Sequence, residues 1–525
     1  MMNNSSWNKS RMIRFLNVFA LVSVLAVTAT FAAPAAAEDI ESSNPDEISS
    51  LIKKAGKAAR DGEFIEAEKL LRRVIELSPQ RSAAKVELAN ILVKQRRFRE
   101  AAELSFEVAE KEPKNSRAFA VLGLAVLNIG RFDDARKILY KAIDINGRED
   151  LAWASLGLLD FYENHMDESL KSLNQAVYLE PYEPDYWFAF GQVSARAENY
   201  KNAAYAYDKF LSVSGKTDAD RRARIKGLIA FLRYLGQRSQ LYAAGGAEQT
   251  TVPIRLLGNR PVIELKVNDV DRPLNFVLDT GSGISVISND TARLLNIKPV
   301  ARGGYAKGLG GDGKFEIVYG FIKRVSIGDV DIRNVPVYIR DFHSSSEEVD
   351  GYIGLSLIAK FLTTVDYGKL SFALQKRDSS PLSPAESVSL PLRLTSSGFL
   401  SGEVQLEGIE NPLNFIVDTG ASVSVISDSI AGLNGIKDLV QGEKMRVIGS
   451  AGITEGVPSF LLPRVSFGKH SRESITAIAL DLDLINEASG FEQAGILGGN
   501  FLKNYRLTFD FQNSRVTFVP LTAEK

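Results

Sequence analysis

Asp279 lies in the stretch NFVLDTGSGISVIS and Asp418 in NFIVDTGASVSVIS, 139 residues further on. Each stretch reads as an apolar strand, a sharp Asp-Thr-Gly turn and a second β-branched strand. One Asp-Thr-Gly is an ordinary turn sequence. Two copies in the same apolar frame imply a duplicated unit whose turn carries the chemistry. Two carboxylates held close cannot both ionise easily, so they share one proton. The ionised member can then take a proton from water while the protonated member donates to a carbonyl oxygen. That is the chemistry of amide hydrolysis, and each unit supplies only one of the two aspartates it needs. A glycine follows each threonine, at Gly281 and Gly420. A side chain there would crowd the approach to the carboxylate.

The rest of the composition excludes other chemistries. The chain has no cysteine, which removes disulfides, thiolate catalysis and Cys-ligated zinc. Its three histidines, His165, His343 and His470, are far apart, and none stands in a His-Glu-x-x-His frame. They read as ordinary surface or packing residues, and no metal or cofactor is expected. A net charge of -1 gives no basis for a nucleic-acid partner. The run Gly308-Leu309-Gly310-Gly311-Asp312-Gly313 satisfies the Gly-x-Gly-x-x-Gly frame. KFEIVYGF follows it and reads as a strand, where a dinucleotide site needs a helix. No Gly-x-Ser-x-Gly elbow occurs.

At 525 residues, about two to four domains are expected. Residues 1–37 read as a secretory signal: Lys9, Arg11 and Arg14, an apolar run from Phe15 to Ala33, then Ala35-Ala36-Ala37 ahead of a cleavage point before Glu38. This predicts export, to the periplasm. The alternative is an uncleaved anchor at residues 15–33 that leaves the chain facing the periplasm, and a membrane partner is expected only in that case. Residues 38–50 read as loose. From 51 to 235, Ala67, Ala101, Ala135, Ser169 and Ala203 recur every 34 residues, with Phe64, Phe98, Phe132, Met166 or Tyr200 three residues ahead. Gly123, Gly157 and Gly191 share the period. The pattern resembles tetratricopeptide repeats, five of them, with a capping helix around Arg221–Leu235. Such a stack forms a curved solenoid, and its inner face suits a protein partner or substrate segment. A rigid spacer is the alternative. Residues 236–252 read as a linker. Two β-rich units follow, 253–376 and 388–522, separated by a Ser/Pro-rich stretch.

The two β-rich units share more than the aspartate turn. Gly308-Leu309-Gly310-Gly311 is matched by Gly449-Ser450-Ala451-Gly452, and Tyr352-Ile353-Gly354 by Ile496-Leu497-Gly498. Asp366 and Asp510 fall at equivalent places in the last strands and read as structural turn partners. On these features each unit resembles a lobe of the retropepsin-like aspartic proteases, in a bacterial tandem form. The resemblance implies two all-β acid protease lobes behind an all-α repeat solenoid. It makes Asp279 and Asp418 the catalytic pair. Thr280 and Thr419 would brace the two turns, Gly281 and Gly420 would keep them open to water, and the two glycine-rich segments would be flap tips closing over a polypeptide substrate. Ser282 against Ala421, and Tyr352 against Ile496, mark divergence between the lobes and predict an asymmetric cleft.

Pairing of the lobes within one chain is expected, with pairing between two chains as the alternative. The function expected is an exported aspartic endopeptidase whose repeats recruit a protein substrate or partner. Its rival is a catalytically silent peptide-binding or scaffold protein of the cell envelope.

Overall fold

The computed structural model describes residues 45–216, 218–238, 241–311, 314–342, 349–376 and 388–521. The expected signal or anchor segment lies outside the described residues. Among the described residues, no helix is long and apolar enough to cross a membrane.

The N-terminal part is a stack of antiparallel helix pairs. It begins with Pro45–Asp61 against Phe64–Leu77 and ends with Pro184–Arg196 against Tyr200–Val213, followed by a cap, Ala219–Leu235. The repeat residues explain the pairing. Ala67, Ala101, Ala135, Ser169 and Ala203 are wholly buried on the outer helices. On the inner helices, a Cβ at Gly123 would lie 2.5 Å from Leu139 and one at Gly157 2.6 Å from Leu173. The glycine is therefore a socket for the branched residue that faces it. Ser169 replaces alanine at no cost in unmet polarity, because its hydroxyl donates to the Gly157 carbonyl at 2.6 Å.

The first helix starts at Pro45, within the stretch expected to be loose. Its Pro-Asp-Glu opening is a helix-start signal, since acidic side chains favour the positive end of the helix dipole. The helices Ser116–Asn128 and Asp150–Tyr162 are buried over most of their surface. Apolar residues around most of a helix must be covered, and the neighbouring repeat helices do this.

The expected linker is also corrected. Ala243–Gly246 pairs antiparallel with Val330–Ile339, and Gln249–Pro253 with Ser371–Gln375. Both are edge strands of small and polar residues. Their backbone pairing is satisfied by a neighbour, while their side chains carry no alternating apolar signal.

Each lobe holds a sheet built on the strand before its aspartate, Leu274–Leu278 or Leu413–Val417. That strand pairs parallel with the short apolar strand Gly351–Ile353 or Gly495–Leu497. A third, six-stranded sheet joins the lobes. In it the closing strands Leu362–Asp366 and Tyr505–Asp510 run antiparallel, with Thr364 opposite Thr508 and their hydroxyls 3.0 Å apart. The lobes are thus paired within one chain, about an axis that passes between these threonines. Asp366 accepts the Gly368 and Lys369 amides at 3.0 Å, and Asp510 accepts that of Asn513 at 3.2 Å. Both cap their turns.

Candidate active site

The strand Leu274–Leu278 delivers Asp279 to the face between the lobes, and Leu413–Val417 does the same for Asp418. Each aspartate amide donates at 3.0 Å to the end of the neighbouring apolar strand, Asp279 to Ile353 and Asp418 to Leu497. Buried serines from the repeated Ser-Val-Ile-Ser fix those strands in turn. Ser285 accepts the Gly354 amide and Ser424 the Gly498 amide, both at 3.1 Å. These serines carry a signal in the sequence, since both copies hold one at the same place, but the spacing alone does not assign them this task.

The threonines lock the two turns reciprocally. Thr280 Oγ1 donates to the Val417 carbonyl and Thr419 Oγ1 to the Leu278 carbonyl, each at 2.7 Å. Each hydroxyl also accepts the other threonine's amide, at 3.2 and 3.0 Å. All four bonds are buried, so neither turn can shift without leaving polar groups unmet. The glycines close the frame. A Cβ at Gly281 would fall 2.4 Å from Asp418 Cγ, and one at Gly420 2.7 Å from Asp279 Cγ.

The two carboxyls are buried together and titrate as a pair. Burial raises the pKa of Asp279 well above its ordinary value, and the neighbouring Asp418 charge adds to this. Burial also raises that of Asp418, but the backbone amides of Gly420, Gly281 and Ala421 oppose the rise by stabilising its charge. Gly420 donates to Asp418 Oδ1 at 2.7 Å, and Gly281 reaches across from the other lobe at 3.2 Å. Burial thus favours a proton on the pair, and the Gly420 and Gly281 amides favour the negative charge on Asp418.

Above the pair, two hairpins bring their tips together. One follows the strand Ala301–Lys307, and the other joins Val440–Gly449 to Gly452–Phe467. The Ala451 amide donates to the Leu309 carbonyl at 2.9 Å, and the Gly311 amide to Thr454 Oγ1 at 3.3 Å. Gly308, Leu309, Gly310 and Gly311 thus meet Gly449, Ser450, Ala451 and Gly452, and Gly308, Leu309, Gly449 and Ser450 line the same cavity as the aspartates. A strand, Lys314–Ile327, follows the first tip where a dinucleotide fingerprint needs a helix.

The aspartates and tips line a cavity of about 2090 Å³ that continues onto the inner helices of the solenoid, where Asn128, Leu158 and Gln192 line it. The solenoid is seated by specific contacts. Phe491 of the second lobe is fully buried in the helical core, with its ring 5.0 Å from that of Phe132 and 5.1 Å from that of Tyr162. At the other end the capping helix packs on the first hairpin, with Phe231 stacked on Tyr319 at 4.3 Å.

Of the histidines, His470 is buried against Phe518, and His165 lies near Asp160 and Glu163, both of which already accept from Arg136. His343 lies outside the described residues.

Residues 263–357 and 402–501 match the family model for aspartyl proteases, and residues 58–125 match one for tetratricopeptide repeats. The C-terminal region is thus a tandem pair of retropepsin-like lobes behind a tetratricopeptide solenoid. Among solved structures, a thermophilic tetratricopeptide-repeat protein of Thermus thermophilus is 21% identical over 35% of this chain and 98% of its own, with a TM-score of 0.31. The pilF protein of Pseudomonas aeruginosa is 17% identical over 37% of this chain and 88% of its own, with a TM-score of 0.27. No curated protein matches the chain.

Proposed function

We propose that this protein is an exported aspartic endopeptidase in which Asp279 and Asp418 activate one water against a peptide bond. The observation that carries the reading is the pair itself: two buried carboxyls brought together by reciprocal threonine bonds and lining one cavity. Asp418, ionised, takes a proton from water as the water oxygen bonds to the peptide carbonyl carbon. Asp279 gives its proton to the carbonyl oxygen. In the second step the C–N bond breaks, the proton on Asp418 passes to the leaving nitrogen, and the hydroxyl proton returns to the pair as the new carboxyl group forms. The two hairpins act as flaps that admit the substrate and exclude water. The inner helices share a cavity with the aspartates, which supports the repeats as the place where the remainder of a polypeptide substrate is held. Export rests on the reading of residues 1–37.

The test is cleavage of an unfolded protein and a peptide library by the full chain, from acid to neutral pH, beside Asp279→Asn and Asp418→Asn. Each single substitution is expected to reduce cleavage by at least about 10³-fold. Full activity in either variant would refute a shared pair. Retention of peptides without cleavage at any pH would make this a binding protein. Cell fractionation with and without residues 1–37 tests export.

A further inference from the structure

The cleft is charged on one side and apolar on the other. Arg340 follows the strand Val330–Ile339, which pairs parallel with Val286 and Ile287 just beyond the first aspartate turn. In the second lobe the matching strand His470–Leu480 pairs with Val425 and Ile426, so the register puts Leu480 where the first lobe has Arg340. Both side chains line the cavity above the aspartates.

Their surroundings differ in kind. Around Leu480 the wall is Ile478, Ile496, Met445 and Val447, part of one apolar cluster. Arg340 stands over the rings of Phe315 at 5.2 Å and Phe342 at 5.5 Å, and Phe342 packs edge-on against Tyr352 at 5.1 Å. Its Nη1 donates to two carbonyls, of Ser450 on the opposite hairpin tip and of Asp341. No carboxylate meets it in an ion pair among the described residues. Of the carboxyl groups, Asp279 acts on it. A guanidinium taken out of water without a counter-charge is costly. Aromatic faces and carbonyls relieve part of that cost. An incoming carboxylate would relieve the rest and could bond to the planar fork through two oxygens.

We propose that Arg340 determines specificity: the first lobe's subsite takes an acidic side chain of the substrate, and the second lobe's matching subsite takes an apolar one. The preferred substrate is a polypeptide with Asp or Glu on one side of the cleaved bond and a large aliphatic residue on the other. This rests on the proteolytic reading of the site.

The experiment is competitive cleavage of a peptide mixture carrying Glu, Gln, Leu or Lys at each position flanking the bond, read by mass spectrometry. The full chain is expected to favour Glu over Gln at one position by about tenfold or more, as charge-assisted hydrogen bonds warrant. Arg340→Leu should lose that ratio yet still cut peptides with Leu there, and Arg340→Glu should favour Lys. An acidic preference that survives Arg340→Leu, or that is absent from the parent, overturns the inference. If Arg340→Leu cuts nothing, binding decides: Asp418→Asn should hold the Glu peptide more tightly than the Gln peptide, and Asp418→Asn with Arg340→Leu should not. If the parent itself cuts nothing, the proteolytic reading falls, and the same binding comparison still tests Arg340.

Discussion

Burial raises the pKa of both aspartates, and the backbone amides of Gly420, Gly281 and Ala421 oppose the rise of Asp418. It also fixes the sign of a pH effect. Both carboxyls are pushed up from 3.8, so the folded chain binds their protons more tightly than the unfolded chain does. The stability they contribute is full below about 3.8 and is lost as pH rises through their folded pKa values. At neutral pH the pair therefore weakens the fold. Asp279→Asn keeps a donor facing Asp418 and removes a titrating group. It is expected to abolish cleavage while raising the unfolding midpoint at pH 7 by roughly 2–5 °C, a gain that shrinks towards pH 4. Thermal unfolding at both pH values checks it. The aspartates were legible in the sequence because they stand in one repeated frame. The electrostatic difference between them was not, because one of the amides that stabilises Asp418, from Gly281, crosses from the opposite lobe. Arg340 was illegible for a related reason: its importance lies in the mismatch with Leu480, which becomes visible once strand register pairs the two positions.

At the scale of elements, legibility follows how much of an element's partner lies in its own pattern. The repeat helices carry their partners within the period, Gly157 for Leu173 and Ser169 for the Gly157 carbonyl, so they could be placed from spacing. The edge strands Ala243–Gly246 and Gln249–Pro253 take theirs from Val330–Ile339 and Ser371–Gln375, far along the chain, and read as a linker. The two aspartate turns are an intermediate case. Thr280 and Thr419 are marked by repetition, but their bonds run between lobes. Thr419→Val keeps the shape and removes both the donor to the Leu278 carbonyl and the acceptor for the Thr280 amide. Each buried group left unmet costs about 1–3 kcal/mol. A loss of roughly 2–5 kcal/mol is expected in urea unfolding, together with a fall in kcat as the turns lose register. Thr419→Ser should recover most of both. Equal damage from serine and valine would show that packing of the methyl group, and not the reciprocal bonds, braces the turns.

Over the whole molecule, the solenoid and the lobes are joined at places that neither repeats nor turns announce. Phe491 lies in GFEQAG, which has no periodicity, yet it completes the helical core beside Phe132 and Tyr162. Next to it the Glu492 amide donates to the Asn128 carbonyl at 2.8 Å, and Arg99 pairs with the Glu492 carboxylate at 2.7 Å. Arg196 donates to the carbonyls of Leu394, Thr395 and Ser396 and lies over the Phe161 ring at 3.8 Å. Such contacts fix the inner helices over the cleft, and the shared cavity depends on that seating. Phe491→Ala empties a fully buried aromatic site, at a cost of about 3–5 kcal/mol. Because the ring sits where the two parts meet, the loss falls on their cohesion. Calorimetry should show the solenoid and lobes unfolding in separate transitions, further apart than in the parent. Cleavage of short peptides should persist, since the aspartates, threonines and hairpins are untouched, while cleavage of long unfolded proteins should fall several-fold as the inner helices lose their position beside the cleft. Parallel loss of both activities would instead mean that the solenoid is needed to hold the lobes together, and equal retention of both would mean that the inner helices take no part in holding substrate.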